Sequence, residues 1–272
     1  VMETADIAAM STSVIAALTT AQMAALTTDQ LMGLSNAQVA VLTTKQVAVI
    51  ASADLAMLET ADIAALSTAV IAKLSTAQIS ALTTDQLIGL TTKQAAALTS
   101  VQVAAIAAAD LAEMETADIA ALSTAVIANL TTTQIAALTT DQVSTLNTVT
   151  LSGLTTAQIV SIETVDLAVL SSAQIASLSS TQIRALNSLQ IVGLTTTQIT
   201  ELSAHTLKML TTQQIAALEN SDIALLGGNI TELSSTQLQA LNTAQVHGLT
   251  TSQLVSLGST SLSQLTAQQM PG

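Results

Sequence analysis

From Glu3 to Leu265 the chain is one octapeptide, T-T-x-Q-I-x-A-L, written thirty-three times, with one residue missing from a single unit. A period of eight is too short for any unit to own a core. Each octad must share its buried face with neighbours, and the number of units sets the length of the array. The eighth position reads Met10, Leu18, Leu26, Leu34, Leu42, Ile50, Leu58 and Leu66, stays aliphatic to Leu226, and resumes after the deletion as Leu233, Leu241, Leu249, Leu257 and Leu265. The fifth position is nearly as strict, from Ile7, Ile15, Met23 and Leu31 onward, with Ala95 its clearest lapse. Thr, Ser, Asn or Glu opens most units, Gln usually stands fourth, and the varied third position is expected to face solvent.

A longer period lies above the octad. Units that open with Glu carry Asp at the fourth position: Glu3/Asp6, Glu59/Asp62, Glu115/Asp118, Glu163/Asp166 and Glu219/Asp222, spaced by seven, seven, six and seven octads. Val14, Val70 and Val126 replace the Gln at matching places, and Asp29, Asp85 and Asp141 recur at the seven-octad interval. A duplicated seven-octad block that later lost a unit accounts for this spacing. Seven is odd and six even, so any alternation of roles between octads would fall out of phase; all octads are expected to occupy nearly equivalent environments.

The chain has no Phe, Tyr or Trp, so the core must be Leu, Ile, Val, Met and Ala. Two buried aliphatic side chains cannot offset the ordering of a whole octad, and stability must come from repetition. Thr favours strands, whereas Ala, Gln, Leu and Met favour helix. The spacing of three between the aliphatic positions puts them on one helical face but on opposite faces of a strand. A continuous helix would let that stripe drift by about 80° per octad, since an octad advances about 800°. Each unit must therefore break and restart. Thr or Ser with Gln three residues later, as in Thr19/Gln22, Ser75/Gln78, Thr155/Gln158 and Thr250/Gln253, is the capping-box pattern that restarts a helix. The Glu/Asp units exchange the two sides of that box. The expectation is an all-α solenoid or superhelix over residues 3–265, with helices of about one and a half to two turns and a terminal tail over 266–272. Gly33, Gly89, Gly153, Gly193 and Gly248, each before a terminal Leu, suit a tight helix exit. The heptad from Gly227 to Leu233 should bring a kink or looser packing. The competing fold is a β-solenoid with Thr ladders along a flat face. The period of five found in pentapeptide-repeat β-helices is absent.

Five Lys and Arg against eighteen Asp and Glu give a net charge of −13, which argues against a basic surface for nucleic acid or anionic membrane. The carboxylates keep an otherwise uncharged array soluble. A sharper reading has Glu59/Asp62 and Glu115/Asp118, with Asp54 and Asp110 one octad earlier, collect calcium weakly, although the Gly- and Asp-rich loops that supply six or more oxygens are missing. No metal ligands are assigned and no cofactor is expected. The absence of Cys excludes thiolate chemistry and disulfides. His205 and His247, at the variable third and sixth positions, read as solvated. The hydroxyls read as caps, no Ser sits in a nucleophile elbow, and Lys45, Lys73, Lys93, Arg184 and Lys208 are scattered. No catalytic residue is assigned and the chain is not expected to be an enzyme. Met10, Met23, Met32 and Met57 read mostly as packing. No apolar run approaches the roughly 18 residues of a membrane span, and no basic segment of a signal peptide precedes the repeats. A chain that starts in register is expected to be part of a longer array.

Runs such as Ala25-Leu26-Thr27-Thr28-Asp29-Gln30 and Leu138-Thr139-Thr140-Asp141-Gln142 are similar to octapeptide tracts in very large bacterial secreted or surface proteins of the adhesin and calcium-dependent-toxin-like sort. That resemblance implies an extracellular or cell-surface location in bacteria. The stretch from Leu42 to Ser52 also looks like the opening helix of a transcription-activator-like effector repeat, but that family has longer repeats and a basic DNA-facing surface, so DNA binding is rejected. Three functions remain: a structural spacer, stalk or fibre element, with self-association or lateral packing of arrays; a solenoid surface that binds a protein or glycan; and ordering of water or ice by Thr ranks.

Overall fold

A computed structural model describes residues 3–270, which form a succession of short helices joined by tight bends, without a strand among the described residues. The all-α expectation holds and the β-solenoid is set aside. Each octad before the deletion makes one helix of four to six residues, as in Asn36–Val39, Thr60–Ala65 and Thr156–Ser161. At 3.6 residues per turn this is about 1.1 to 1.7 turns, shorter than the pattern suggested. The residues between helices leave the helical region and make the bend. Leu66 ends one helix at φ −59°, ψ 140°, and Ser67 opens the next at φ −66°, ψ 152°.

The caps form as the letters indicate. Thr19 Oγ1 accepts from the N–H of Gln22 at 3.2 Å, and Gln22 Oε1 accepts from the N–H of Thr19 at 2.9 Å. Ser75/Gln78, Thr155/Gln158 and Thr250/Gln253 repeat the arrangement. Of the Glu/Asp units, Asp6, Asp62 and Asp222 accept from the N–H of Glu3, Glu59 and Glu219; Glu115/Asp118 and Glu163/Asp166 do not form the box.

The chain divides into two compact units, Val1–Leu138 and Thr139–Gly272. Within the first, each helix packs on the third one after it: Asn36–Val39 on Thr60–Ala65, Ser52–Ala56 on Thr76–Ala81, and Thr92–Ala97 on Thr116–Ala121. Within the second, Thr156–Ser161 packs on Ser180–Ala185, and Ser188–Val192 on Thr212–Ala217. Fifth and eighth positions supply both cores, with Ile63, Ile79, Leu111, Ile159 and Ile215 at 0 % exposure. Ala95, the lapse, is buried in its place. Met23 is core and Met10 half-buried, but Met32 and Met57 are exposed, contrary to the packing role expected of them.

The heptad is kinked without being loose. Gly227 takes φ 53°, and Gly227–Glu232 forms a 3-10 helix, whose longer rise per residue spans the octad distance with one residue fewer. Ile230 and Leu233 stay in the core. The glycine exits are a correction: Gly33, Gly89, Gly193 and Gly248 sit at φ between −80° and −73°, in the right-handed region, and Gly153 lies inside a helix. Gly33, Gly89, Gly193 and Gly248 answer to a close approach between turns instead. A Cβ on Gly89 would overlap the Thr60 methyl, and one on Gly193 would overlap the Thr164 methyl.

Candidate functional site

The feature that recurs along both units is a seam of glutamine amides. While Oε1 of the fourth-position Gln completes the cap, its Nε2 crosses to the turn below. Gln94 Nε2 donates to the carbonyls of Ile63 at 2.9 Å and Leu66 at 2.8 Å. Gln78, Gln86 and Gln102 donate in the same register, to Val47 and Ile50, Leu55 and Leu58, and Ile71 and Leu74. In the second unit Gln182, Gln190, Gln198 and Gln214 do likewise, to residues 31 and 28 positions earlier. The shorter of these spans is three and a half octads, which is the size of one turn. After the deletion the spans shorten by one: Asn229 Nδ2 reaches the Leu202 carbonyl, and Gln237 and Gln245 reach back 30 and 27 positions. Gln269 restores 31 and 28, so the pattern runs past Leu265. The last two residues of the sequence tail, Pro271 and Gly272, lie outside the described residues.

These amides are buried, with Gln94 2 % exposed. A buried donor–acceptor network of this kind fixes the stagger of neighbouring turns, because any other stagger leaves carbonyls unpaired. The seam is not uniform. In the first unit Asp54, Asp62 and Val70 occupy the fourth position of three successive octads, and Asp110, Asp118 and Val126 do so seven octads later. Nearly a whole turn therefore lacks the amide. Asp54 and Asp110 instead accept from the hydroxyls of Thr28 and Thr84, and in the second unit Asp166 accepts from Thr140 at 2.8 Å.

Four carboxyls at this position lie above the usual Asp range. Burial is the main cause for Asp62, Asp118, Asp166 and Asp222, and the neighbouring Glu adds to it in each case. The N–H of Glu59 or Glu219 and the hydroxyls of Thr92 and Thr140 pull the other way. The calcium cluster expected around Glu59/Asp62 and Glu115/Asp118 is not gathered: among the described residues no three His, Cys, Asp or Glu stand close enough to hold a metal. His205 and His247 are exposed. Lys208 pairs with Glu232 at 2.7 Å on the surface, and Arg184 donates to the Met209 carbonyl. Two apolar clefts, of about 320 Å³ beside Met10, Leu18 and Leu26 and about 440 Å³ beside Leu254, Leu262 and Leu265, expose core residues of the first and second unit. Neither cleft is lined by a carboxylate. No helix of the described residues is long and apolar enough to cross a membrane.

The sequence pattern assigned the Gln to the cap alone and so missed the seam. The signal was there: a cap needs only an acceptor, which Glu supplies with better helix-dipole energy, yet the array uses Gln. Five segments, residues 1–36, 55–92, 111–148, 159–196 and 228–259, match the model of the ALTTAQ repeat family. A search of the curated proteins finds no match. With most of its length matched, the chain belongs to the ALTTAQ repeat family.

Proposed function

We propose that the array is a non-enzymatic structural spacer, a stalk or fibre element whose reach is set by the number of octads, carried outside a bacterial cell or on its surface. The observation behind this reading is the range of the seam. Every clamp joins an octad only to the turn before it, so each unit is a one-dimensional stack to which turns can be added without changing those present. The first-position hydroxyls are spent on caps and the fourth-position amides on the seam. The extracellular setting rests on the resemblance of the octads to tracts in secreted and surface proteins, with which the acidic, Cys-free composition is compatible. Calcium is no part of the reading, because Asp54 and Asp110 are already bonded to Thr28 and Thr84.

The test is to duplicate the segment from Glu59 to Met114 within the chain and compare solution X-ray scattering. Helices pack roughly 8–10 Å apart, so a two-turn block should lengthen the particle by roughly 16–20 Å with unchanged helicity per residue. An increase in radius with no increase in length would overturn the proposal. Lateral packing of arrays is the second reading, favoured by Val160, Val165 and Leu189, which are exposed and line one depression in the second unit. Sedimentation that does not change between the chain and Leu189→Ser across a hundredfold range of concentration would dismiss it. Water ordering loses the support that a β-solenoid with Thr ladders would have given it, because the described residues are helical.

A further inference from the structure

At the Gln octads the seam joins an amide donor to carbonyl acceptors. At Asp62 and Asp118 the same seat holds a carboxyl group that is one methylene shorter, and these residues are 2 % and 1 % exposed. Asp62 Oδ1 and both side-chain oxygens of Asp118 are buried without a hydrogen-bond partner. The Thr92 hydroxyl lies near enough to Asp118 to favour its charged form, yet completes no hydrogen bond with it. By the register that the Gln residues keep, the carbonyls of Leu31 and Leu34 stand opposite Asp62, and those of Leu87 and Leu90 opposite Asp118. An ionised carboxylate there would set oxygen against oxygen, away from water. We propose that Asp62 and Asp118 are proton-binding sites, each holding a neutral carboxylic acid whose hydroxyl donates to a carbonyl of the preceding turn, so that protonation latches the two Gln-poor seams and ionisation loosens them.

A proton is the ligand that fits the seat. Calcium takes six to eight oxygens, whereas the seat offers a carboxyl and two carbonyls, with burial leaving no room for waters to complete a shell. The surrounding charges favour the neutral acid. Glu59 and Glu115 stand at the entry of the respective helices. The helices packed on Thr60–Ala65 are Asn36–Val39, which has no titratable group, and Thr84–Ile88, which carries the exposed Asp85. The helix packed on Thr116–Ala121 is Thr92–Ala97, whose one cation, Lys93, is exposed to solvent. From the preceding octads come Asp54 and Asp110, each taken by a Thr hydroxyl, and the exposed Glu113. Burial raises both carboxyls above their ordinary value.

The sign follows from linkage. A carboxyl whose pKa is raised on folding binds its proton more tightly in the folded state. Its stabilising effect is complete below the ordinary Asp value of about 3.9 and is lost as pH rises through the raised value. The seam should therefore be tightest in mild acid and weakest at alkaline pH. Relief of the general negative charge gives a trend of the same sign, so the test needs a charge-matched control. Hydrogen exchange of the full chain, corrected for intrinsic rates, would be compared at pH 4.5 and 8. Helices Thr60–Ala65 and Thr116–Ala121 should lose at least tenfold in protection on going to pH 8, relative to helix Ser100–Val103, which Gln102 and Gln134 clamp on both sides and which packs on neither of them. Asp62→Gln with Asp118→Gln should abolish that loss, while Asp29→Asn with Asp85→Asn, which removes two exposed charges, should leave it. An equal loss at all three helices, or a loss erased by the control pair, would overturn the proposal. If the Gln variants fail to fold, carboxyl carbon shifts of labelled Asp in the unaltered chain decide: midpoints for Asp62 and Asp118 at or below those of Asp29 and Asp85 would refute it.

Discussion

Gln94→Val tests the seam directly, because it gives the twelfth octad the residue that Val70 and Val126 already place in theirs. The substitution removes the amide donations to Ile63 at 2.9 Å, Leu66 at 2.8 Å and, more weakly, the part-buried Ala64 at 3.2 Å, and the acceptor for the Thr91 N–H at 2.8 Å. Ile63 keeps a second partner, the N–H of Leu66, and Thr91 is exposed enough for water to replace the cap. The Leu66 carbonyl bears the full loss. With a net worth of about 1 kcal/mol per hydrogen bond and about 1–3 kcal/mol for a buried group left unpaired, the expected cost is about 2–4 kcal/mol. A stack whose turns touch only their neighbours need not melt in one step, so native-state hydrogen exchange is the suitable assay. At about 1.4 kcal/mol per decade, protection of helices Thr60–Ala65 and Thr92–Ala97 should fall by roughly thirtyfold to several hundredfold, while more distant helices of the first unit keep theirs. Gln94→Glu separates the two roles of the side chain. It preserves the cap acceptor and improves the helix-dipole term, but turns the donor into an acceptor. If the cap were the main role, Glu would be neutral or stabilising. If the seam is, Glu at pH 8 should cost at least as much as Val and recover in acid. A fall under about threefold for Val, or a harmless Glu, would refute the reasoning.

The converse change, Val126→Gln, installs an amide opposite the carbonyls of Ala95 and Leu98 beneath a Ser cap that is already present. It should stabilise by about 1–2 kcal/mol, seen as a higher urea midpoint for the first unit. Gly89→Ala should destabilise by about 1–3 kcal/mol through overpacking, because its Cβ meets the Thr60 methyl; adding Thr60→Ser removes that methyl and should restore the melting temperature. Asn229→Ala removes the contact from Asn229 Nδ2 to Leu202 at 3.1 Å. The expected loss is about 1 kcal/mol, read as faster exchange confined to Gly227–Glu232 and the octads it touches.

The core and the caps were legible because both are local. A spacing of three between Ile63 and Leu66 selects a helix over a strand, and Ser75 with Gln78 marks where a helix starts. What the octad could not reveal was which distant octads meet. That depends on the bend at residues such as Leu66 and Ser67, where two extended dihedral pairs fix how far the chain rotates between helices. A local pattern carries no record of that angle. The glycines were misread for the same reason: Gly89 is small for the sake of Thr60, which lies a full turn away along the chain.

The geometry also gives the seven-octad block a meaning that duplication alone does not supply. With three and a half octads in a turn, adjacent turns are out of step by half an octad, and a given octad position returns to the same face of a unit only after two turns, or seven octads. In the first unit that return carries Asp54, Asp62 and Val70 onto Asp110, Asp118 and Val126, so clamped and Gln-poor seams alternate turn by turn. Between the two Gln-poor seams lie Gln78, Gln86, Gln94 and Gln102, four consecutive clamps that span slightly more than one turn. A shorter repeating block would place the substituted octads on shifting faces. Seven octads is the shortest block that keeps every weak seam in one place.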